Sequence, residues 1–441
     1  MAPSLVLNLP LVCLAIVQAS GFTAINSPPS PHSGRVGGCT QGVAVARLCD
    51  SLGDVNEAAD DVPPLRILEF YSGIGGLRVS LEAAVKEARL GKRIETTAYE
   101  INAVANAVYE HNFPGCIVTR RSIEHLSVTD IDGTADVWLL SPPCQPFCRV
   151  GKQMDENDNR SASFVHLLTL LKGLEVPPAY IFLENVKGFE GSQAHRRLLE
   201  GLIARGFRVE QYLLSPVQLG IPNTRLRYYC LASRHGTDGD GNISIIRELP
   251  PDSLASCSSV EALERTPQQG GLGLRPLSEF LDLSLVGEAV VPLLLSPKAS
   301  SHATPSLRFD VVTSRSTETT TFTKGYGKHA GRAGPVILVT DDGERRVSAE
   351  TLDRFPSGLD LGPHGRELRW FSDREMLRLH GFPESFGFPA GLTLRQRFGL
   401  IGNSVNVEVV ALLLRRMLFG GVVKGGELRE GLGRVEAVSG G

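Results

Sequence analysis

The stretch RILEFYSGIGG, residues 66–76, decides the fold of this 441-residue chain. Its first half, from Arg66 to Phe70, has the apolar character of a β-strand, and its second half is a glycine-rich turn. Apolar residues then recur at helical spacing from Gly75 to Arg89. A strand, a glycine turn and a helix in this order predict the first unit of a doubly wound α/β sheet, in which ligands bind at the carboxyl ends of the strands.

Further strand patterns alternate with helical patterns along the chain. The strand patterns occupy residues 94–99, 136–140, 180–183 and 225–232. Strands separated by helices predict a parallel sheet. From Phe309 to Thr340, β-branched residues and glycines indicate a small β lobe. Helices return near the end of the chain, one from Asp373 to His380 with Ser372 as its cap and one from Asn403 to Leu418.

Composition limits the partners and cofactors that the chain can use. The formal net charge is -3, so any binding of a nucleic acid depends on local basic patches. The eight cysteines include no Cys-x-x-Cys pair, so neither a zinc ribbon nor a disulfide framework is indicated, and no metal site is expected. Reduced thiols suit a cytosolic or organellar protein.

A nucleoside site is indicated beside the glycine turn. Glu100 ends the second strand pattern, and an acid at that place can accept both hydroxyls of a ribose. The turn lacks the G-x-G-x-x-G spacing, and no Lys-Ser or Lys-Thr follows it, which disfavours a phosphate-binding loop. Ile123, between Ser122 and Glu124, is expected to pack on an adenine ring. The alternatives are a tight turn without a ligand and an Ile123 that belongs to the ordinary core.

A second set of candidate residues follows the next two strand patterns. The stretch SPPCQPF, residues 141–147, holds Cys144 on a turn that two prolines make rigid, and a thiolate is a strong nucleophile. C6 of a cytosine is a poor electrophile unless N3 is protonated or hydrogen-bonded. Glu184 leaves a hydrophobic strand and is expected to be desolvated, which favours the neutral acid that can serve N3. A helix N-cap or a surface salt bridge is the alternative role for Glu184.

Two arginines follow on a later strand pattern. Arg225 and Arg227 lie two residues apart, so on a strand their side chains point the same way. They can hold the cytosine O2, a substrate phosphate or Glu184. Plain surface charge is the alternative interpretation.

A glycine-rich basic loop is the candidate for holding a nucleic acid. Lys324, Lys328 and Arg332 can neutralise phosphates, and the ring of Tyr326 can stack on an unpaired base. Such a loop suits an RNA with an exposed base better than a DNA duplex, whose base edges must be read in the major groove. The alternative is a solvated turn in which Tyr326 only covers the small lobe.

Taken together, these motifs resemble the DNA (cytosine-5) methyltransferase family in their order and spacing. The resemblance covers about Leu65 to Leu418 and includes the glycine turn, Pro-Pro-Cys-Gln, Glu-Asn-Val, Arg-x-Arg and a late Gly-Asn-Ser. Four longer strings are similar to one branch of this family, the tRNA-aspartate cytosine-38 C5-methyltransferases: LENVKGFE at 183–190, LGIPNTRLRY at 219–228, FTKGYG at 322–327 and GFPESFGFP at 381–389. Two positions depart from that branch, Thr321 where Cys is usual and Cys148 where Thr is usual.

The resemblance implies a Rossmann-like class I S-adenosylmethionine-dependent methyltransferase fold with a small target-recognition lobe. It implies Cys144 as the nucleophile, Glu184 as its acid partner, and Arg225 and Arg227 as further catalytic residues. The expected substrate is an anticodon-loop cytosine, cytosine 38 of tRNA-Asp, and DNA is the weaker alternative. The residues expected to bind S-adenosylmethionine lie at the strand ends and in the late Gly-Asn-Ser: Phe70, Ser72, Ile74, Gly75, Gly76, Glu100, Ile123, Glu124, Ser141, Asn403 and Ser404.

Composition and the extent of the resemblance together predict how the chain is divided, and the leader has no counterpart in the resemblance. A leader at 1–60 precedes the catalytic domain, and the first 49 residues contain no Asp or Glu but include an apolar run, as a signal or transit segment would. A disordered extension with a chance apolar patch is the alternative. We expect a monomer outside the membrane, in cytoplasm and nucleus, or in an organelle if the leader targets one. The remaining parts are the catalytic domain at 64–234, the small lobe with its loops at 235–365, the return to the catalytic domain at 366–420 and a flexible tail at 421–441.

Overall fold

An eight-stranded sheet forms the centre of the chain in the computed structural model. The structure describes residues 63–88, 93–143, 162–234, 244–249, 273–282, 284–285, 287–295, 310–328, 333–338 and 368–420. The predicted leader at 1–60 and tail at 421–441 lie outside these ranges, as do Cys144, Cys148 and Arg332. The strands of the large sheet are β1 Leu65–Phe70, β2 Ile94–Tyr99, β3 Ile117–Thr119, β4 Val137–Leu140, β5 Tyr180–Val186, β6 Arg208–Leu214, β7 Arg227–Ser233 and β8 Ile245–Ile246.

The strand order has a switch point next to β1. The order across the sheet is β3-β2-β1-β4-β5-β7-β6-β8, so the chain builds outward from β1 in one direction and then, from β4, in the other. The pairs among β3, β2, β1, β4 and β5 are all parallel, which confirms the doubly wound sheet expected from the sequence. Ligands of such sheets bind where the order reverses, at the carboxyl ends of the strands.

The sheet is mixed, whereas the sequence pattern predicted a parallel one. β7 is inserted between β5 and β6 and is antiparallel to both. The segment between β6 and β7 contains one short 3-10 helix, Pro216–Leu219, and no α-helix. Parallel neighbours need a long crossover connection, so a chain that returns over so short a distance pairs antiparallel.

Helices cover both faces of the sheet. The helices are α1 Gly76–Glu87, α2 Ala103–Asn112, α3 Val128–Ile131, α4 Ala162–Gly173, α5 Gln193–Ala204, α6 Asp373–Leu379, α7 Leu394–Gly402 and α8 Val407–Phe419. Alternate residues of each strand enter opposite cores: Val137 and Leu139 pack with α1, α2 and α8, whereas Trp138 and Leu140 pack with α4 and α5. This division follows from the two-residue period of a strand.

The small β lobe contains a three-stranded sheet of short strands: β9 Val311–Val312, β10 Val336–Leu338 and β11 Leu368–Arg369. It is tied to α6 by a buried, two-pronged ion pair, with Arg369 Nη1 2.7 Å from Glu375 Oε2 and Arg369 Nη2 2.8 Å from Glu375 Oε1. Glu375 also accepts hydrogen bonds from the backbone N–H groups of Ser372 and Asp282. The carboxylate is therefore fully satisfied in the core, as a buried charge must be.

The C-terminal helices differ in one respect from the sequence pattern. Ser372 caps α6 as expected, but the apolar helix begins at Val407 and its cap is Asn406, not Asn403. Asn403 instead ends the preceding helix, α7. The stretch from Leu394 to Phe419 is apolar enough to cross a membrane by composition, yet 72% of its most apolar window is buried inside the protein, as in a core helix.

One buried acid makes the stability of the fold depend on pH. Glu69 on β1 is fully buried and accepts a hydrogen bond from the hydroxyl of Tyr109 at 2.7 Å. Burial raises the pKa of Glu69 to about 7, and the nearby Arg78 opposes this only in part. Because the pKa is raised on folding, the contribution of Glu69 to stability is complete below the ordinary pKa of 4.5 and is lost as the pH rises to about 7.

We predict that Glu69→Gln, which cannot ionise, removes this loss. Relative to the variant, the parent should lose up to about 3 kcal/mol of unfolding free energy between pH 4.5 and pH 7. Denaturant unfolding across that pH range measures the difference. Glu95→Gln, at an exposed position on the neighbouring strand, is the control and should follow the parent. Parallel curves for the parent and Glu69→Gln would contradict the assignment.

Candidate active site

The residues after β1, β2 and β4 are joined at one edge of the sheet by backbone hydrogen bonds. The N–H of Ser72, just after β1, donates to the carbonyl of Tyr99 at the end of β2 at 3.2 Å. The N–H of Ser141, just after β4, donates to the carbonyl of Phe70 at 3.4 Å. The sequence-predicted cofactor residues and the start of the Pro-Pro-Cys turn therefore meet at the switch point of the sheet.

Glu100 is brought to the glycine turn, as the sequence predicted. Its Oε2 accepts the N–H of Gly73 at 3.0 Å, and its Oε1 accepts the N–H of Asn102 at 2.8 Å. An ionised carboxylate has about four acceptor positions, so each oxygen can still accept one more hydrogen bond. Two hydroxyls of a ribose would fill this remaining capacity.

The glycines of the turn serve two different purposes. Gly73 has a φ of 54°, and a Cβ there would meet nothing within 4 Å, so the backbone faces open space beside Glu100. A Cβ at Gly75 would instead overlap the ring of Phe113, and one at Gly76 would lie 2.6 Å from Ser404 Oγ. Gly73 therefore leaves room for a ligand, as expected of the turn. Gly75 and Gly76 instead leave room for the side chains of Phe113 and Ser404.

The other predicted cofactor residues near β1 are mostly buried. Ser72 Oγ is buried and has no hydrogen-bond partner among the described residues, which is a polar atom that a ligand could satisfy. The ring of Phe70 is fully buried and stacks on Tyr99 with centroids 5.0 Å apart, so Phe70 supports the site from within the core. Ile74 is buried in the turn itself.

The segment Ile123–His125 is a 3-10 helix at the end of this edge. Ile123 is buried and packs in the same core as Phe70 and Tyr99, so the core interpretation of Ile123 describes its position in the structure. Glu124 is exposed. A residue that the sequence reasoning missed is Ile101, whose side chain is 73% exposed directly after Glu100. The signal is an apolar side chain that is exposed to solvent next to an acid at the end of a strand. Such a side chain is a candidate for packing against the ring of a ligand.

Glu184 lies on β5, one residue beyond the point where β4 ends, because Leu140 is paired with Leu183. Its Oε2 accepts a hydrogen bond from the hydroxyl of Ser141 at 3.0 Å, and its Oε1 lies 3.4 Å from Nε of Arg227. The amide of Asn185 donates to the carbonyl of Pro142 at 3.4 Å. Glu184 is neither a helix cap nor a surface charge, because the carboxyl is largely buried between these groups. The contacts hold it against the turn that leads to Cys144, which itself lies outside the described residues.

Arg225 has a different role from the one that the sequence suggested. The expectation of two arginines on one strand is wrong, because β7 begins at Arg227 and Arg225 precedes it. The buried guanidinium of Arg225 donates to three backbone carbonyls, those of Phe322 at 2.9 Å, Gly402 at 3.2 Å and Ser404 at 2.5 Å. Arg225 thus holds the Gly-Asn-Ser segment and the basic loop in place, whereas Arg227 is the arginine beside Glu184.

Ser404 lies next to the glycine turn, since its Oγ is close to the backbone of Gly76. Asn403 is exposed at the end of α7. Both residues follow Gly402, where a Cβ would overlap the carbonyl of Thr323, so the glycine is required for the close packing of the basic loop on α7.

Tyr326 is not the exposed stacking ring that the sequence suggested. It is fully buried, its hydroxyl donates to the carbonyl of Pro335 at 2.7 Å and accepts the N–H of Phe371 at 2.9 Å. Its ring packs edge-on against aromatic neighbours, among them Phe322 and Phe398. The ring therefore anchors the small lobe. Its burial and its two hydrogen bonds stabilise it there more than exposure to solvent would. Lys324 and Lys328 of the same loop are exposed, as predicted.

In the part of the chain that the structure describes, no group of three or more His, Cys, Asp or Glu side chains could hold a metal ion.

The fold matches that of solved methyltransferases. A crystal structure of the Schizosaccharomyces pombe Dnmt2 methyltransferase superposes with a TM-score of 0.64 at 29% sequence identity, covering 81% of this chain and 98% of that one. The large sheet with its site at the strand ends is thus a class I S-adenosylmethionine-dependent methyltransferase fold.

Sequence comparison narrows this class to a family. The model of the family described as C-5 cytosine-specific DNA methylase matches residues 65–418, and the chain belongs to that family. A mouse tRNA (cytosine(38)-C(5))-methyltransferase is 35% identical over 395 residues, covering 80% of this chain and 92% of that protein. A Dictyostelium discoideum DNA (cytosine-5)-methyltransferase is 34% identical over 374 residues, covering 80% and 93%. The protein is therefore a cytosine-C5 methyltransferase.

The two arginines should respond differently to removal. Arg225→Ala leaves three buried carbonyls without their charged donor. Charge-assisted hydrogen bonds contribute about 1.5–3 kcal/mol each, so we expect this variant to lose about 3 kcal/mol or more of unfolding free energy. Arg227→Ala should keep most of the stability and lose methyl transfer, because its side chain contacts Glu184 at the site. Denaturant unfolding and a methyl-transfer assay compare them; equal losses of stability would contradict the separate roles.

Proposed function

We propose that the chain is an S-adenosylmethionine-dependent tRNA (cytosine-5)-methyltransferase that acts on an anticodon-loop cytosine, cytosine 38 of tRNA-Asp. The main support for this reaction is the position of Glu184, which Ser141 and Arg227 hold directly beside the turn that leads to Cys144. The relatives named tRNA (cytosine(38)-C(5))-methyltransferases support the substrate.

Cys144 and Glu184 divide the activation of the base between them. The thiolate of Cys144 attacks C6 of the cytosine, and a carbon–sulfur bond forms. Glu184 supplies the proton or hydrogen bond at N3 that makes C6 electrophilic. When bound, S-adenosylmethionine would supply an electrophilic methyl group to C5, which the attack at C6 makes nucleophilic, and S-adenosylhomocysteine would be the leaving group. Removal of the C5 proton by water or another base, return of the N3 proton to Glu184 and departure of the Cys144 thiolate from C6 then restore the aromatic ring.

The surroundings of Glu184 suit this role. Arg227 and Ser141 approach its two oxygens separately, so the carboxyl plane is fixed before a base arrives. Such preorganisation reduces the reorganisation that catalysis would otherwise require. Arg227 also offers a positive guanidinium next to the position of a base, where it can serve the cytosine O2.

The residues around the glycine turn fit S-adenosylmethionine. Glu100 retains acceptor positions for the ribose hydroxyls, and Gly73 faces open space beside it. Ser72 offers a buried hydroxyl without a partner among the described residues. Ile101 offers an exposed apolar side chain that can cover the adenine.

Exposed cations near the site support a polyanionic substrate despite the net charge of -3. Lys187 is exposed three residues after Glu184, at the carboxyl end of β5. Lys324 is exposed where its backbone packs on Gly399 of α7, and Arg395 is exposed one turn earlier on that helix. These side chains are positioned to contact phosphates, and such contacts give affinity that falls with salt.

DNA is the second candidate substrate, because one relative is named a DNA (cytosine-5)-methyltransferase. Reading a duplex needs an element that enters the major groove and presents side chains to base edges. The described part of the small lobe has three strands of two or three residues, which favours a substrate whose base is already accessible. An anticodon-loop cytosine costs less to unstack than a duplex base.

The substrate assignment predicts methylation of a tRNA-Asp transcript at cytosine 38 and little or none of a DNA duplex. Bisulfite sequencing of both substrates after incubation with S-adenosylmethionine maps the product. Cys144→Ala should abolish transfer while it leaves cofactor binding intact, whereas Cys148→Ala, a matched loss of a nearby thiol, should remain active. Preferred methylation of DNA would favour the second candidate. Product from Cys144→Ala would exclude that residue as the nucleophile.

The cofactor assignment predicts that Glu100→Ala weakens S-adenosylmethionine binding. Hydrogen bonds to a charged group contribute about 1.5–3 kcal/mol, which corresponds to a loss of affinity of roughly ten- to a hundredfold. Calorimetric titration measures the dissociation constant. Glu95→Ala, near the other end of β2, is the control and should bind as the parent does. An unchanged dissociation constant for Glu100→Ala would remove the residue from the cofactor site.

A further inference from the structure

Tyr71 has an unusual backbone conformation at the centre of the site. Its φ is 59°, and it is the one non-glycine residue with positive φ among the residues that the structure describes. It lies in the glycine turn, two residues before Gly73, which has a φ of 54°. A side chain in this region costs free energy, so neighbouring contacts must hold it there, and such residues concentrate at functional sites.

The hydroxyl of Tyr71 spans 92 positions of sequence to reach another element. It donates a hydrogen bond to Oγ of Ser163 at 3.1 Å. Ser163 is the second residue of α4, which begins at Ala162. Burial, together with the nearby charge of Glu124, raises the pKa of Tyr71, so the phenol remains protonated and able to donate at neutral pH.

The N-terminal half of α4 has a second contact with the same edge. His166, one turn after Ser163, is hydrogen-bonded through its Nε2 to the carbonyl of Leu126 at 2.9 Å. Leu126 directly follows the 3-10 helix Ile123–His125. The start of α4 is therefore fixed against the glycine turn on one side and against the end of the 3-10 helix on the other.

The chain that enters α4 is the chain that carries the nucleophile. Cys144 lies between Pro143 and Ala162 in sequence. On the Pro143 side, Ser141 donates to Glu184 and Asn185 donates to the carbonyl of Pro142. On the Ala162 side, the hydrogen bond from Tyr71 to Ser163 is the corresponding attachment.

We infer that the Tyr71 hydroxyl is a positioning group that couples the cofactor turn to the end of the Cys144 segment. Its donor bond to Ser163 fixes where that segment rejoins the fold, and the same bond holds the hydroxyl of Tyr71 against α4. The inference rests on the proposed function, because it assigns the coupling to Cys144 as the nucleophile. The alternative is that Tyr71 acts only through the packing of its ring.

The test removes the hydroxyl from either partner. Tyr71→Phe and Ser163→Ala should each lower the single-turnover rate of methyl transfer, at saturating tRNA and S-adenosylmethionine, by about two- to tenfold. The double variant should be no slower than the slower single variant, since both remove the same bond. Ser163→Thr keeps the hydroxyl and should restore the rate. Tyr212→Phe, which removes a hydroxyl bonded to Glu210 on β6, is the matched control and should be unaffected.

Cofactor affinity and thiol reactivity separate positioning from stability. The dissociation constant for S-adenosylmethionine should stay within about twofold of the parent, because the ring and the turn are unchanged. The rate of alkylation of Cys144 by iodoacetamide, measured in a Cys148→Ala background, should rise in both single variants and not in Tyr212→Phe. If the parent methylated neither tRNA nor DNA, the proposed function would be contradicted. The alkylation rates alone would then test whether Tyr71 is coupled to the Cys144 segment. Unchanged transfer and alkylation rates in Tyr71→Phe and Ser163→Ala would overturn the inference.

Discussion

The site depends on the parallel pairing of β1 with β2 on one side and with β4 on the other. This pairing brings three strand ends to one edge, and backbone bonds from Ser72 and Ser141 continue the connection two residues beyond β1 and one residue beyond β4. Glu100 then fastens the turn by accepting two backbone N–H groups. Because these bonds use main-chain atoms, the frame of the site tolerates many side chains, and specificity is left to the few that face the opening.

A second dependence runs through Arg225. Ser404 approaches Gly76 from the far end of the chain, and the guanidinium that donates to the carbonyls of Gly402 and Ser404 keeps it there. The same guanidinium donates to Phe322, which precedes the basic loop. A buried guanidinium is costly unless its donors are satisfied, so these segments are constrained together. The cofactor edge and the proposed tRNA surface are in this way fixed by one side chain.

Local patterns predicted the parts of the fold that local contacts determine. Leu65–Phe70 was predictable because its apolar run is followed by a glycine turn, and Glu100 because it follows the strand pattern of Ile94–Tyr99. Glu184 was expected directly after a strand and instead lies inside β5, which extends to Val186. β6 was missed, although Val209 and Gln211 alternate with exposed neighbours as a strand requires. The burial of Tyr326 was predicted only as the alternative, because a Lys-Gly-Tyr-Gly-Lys string resembles a surface loop. It depends on Phe371, Phe398 and Pro335, whose proximity only the tertiary fold creates.

The two halves of the site consequently differ in how they are assembled. The proposed cofactor half uses residues from Ser72 to Glu124, joined by adjacent strands of one parallel unit. The proposed base half joins Ser141, Glu184 and Arg227, and Arg227 belongs to the strand that runs antiparallel to its neighbours. The start of an antiparallel strand lies at the edge where the parallel strands end, so β7 presents its first residue to the site. The reversal of β7 is thus the topological feature that places a guanidinium beside Glu184, where a parallel strand would have placed its last residue instead.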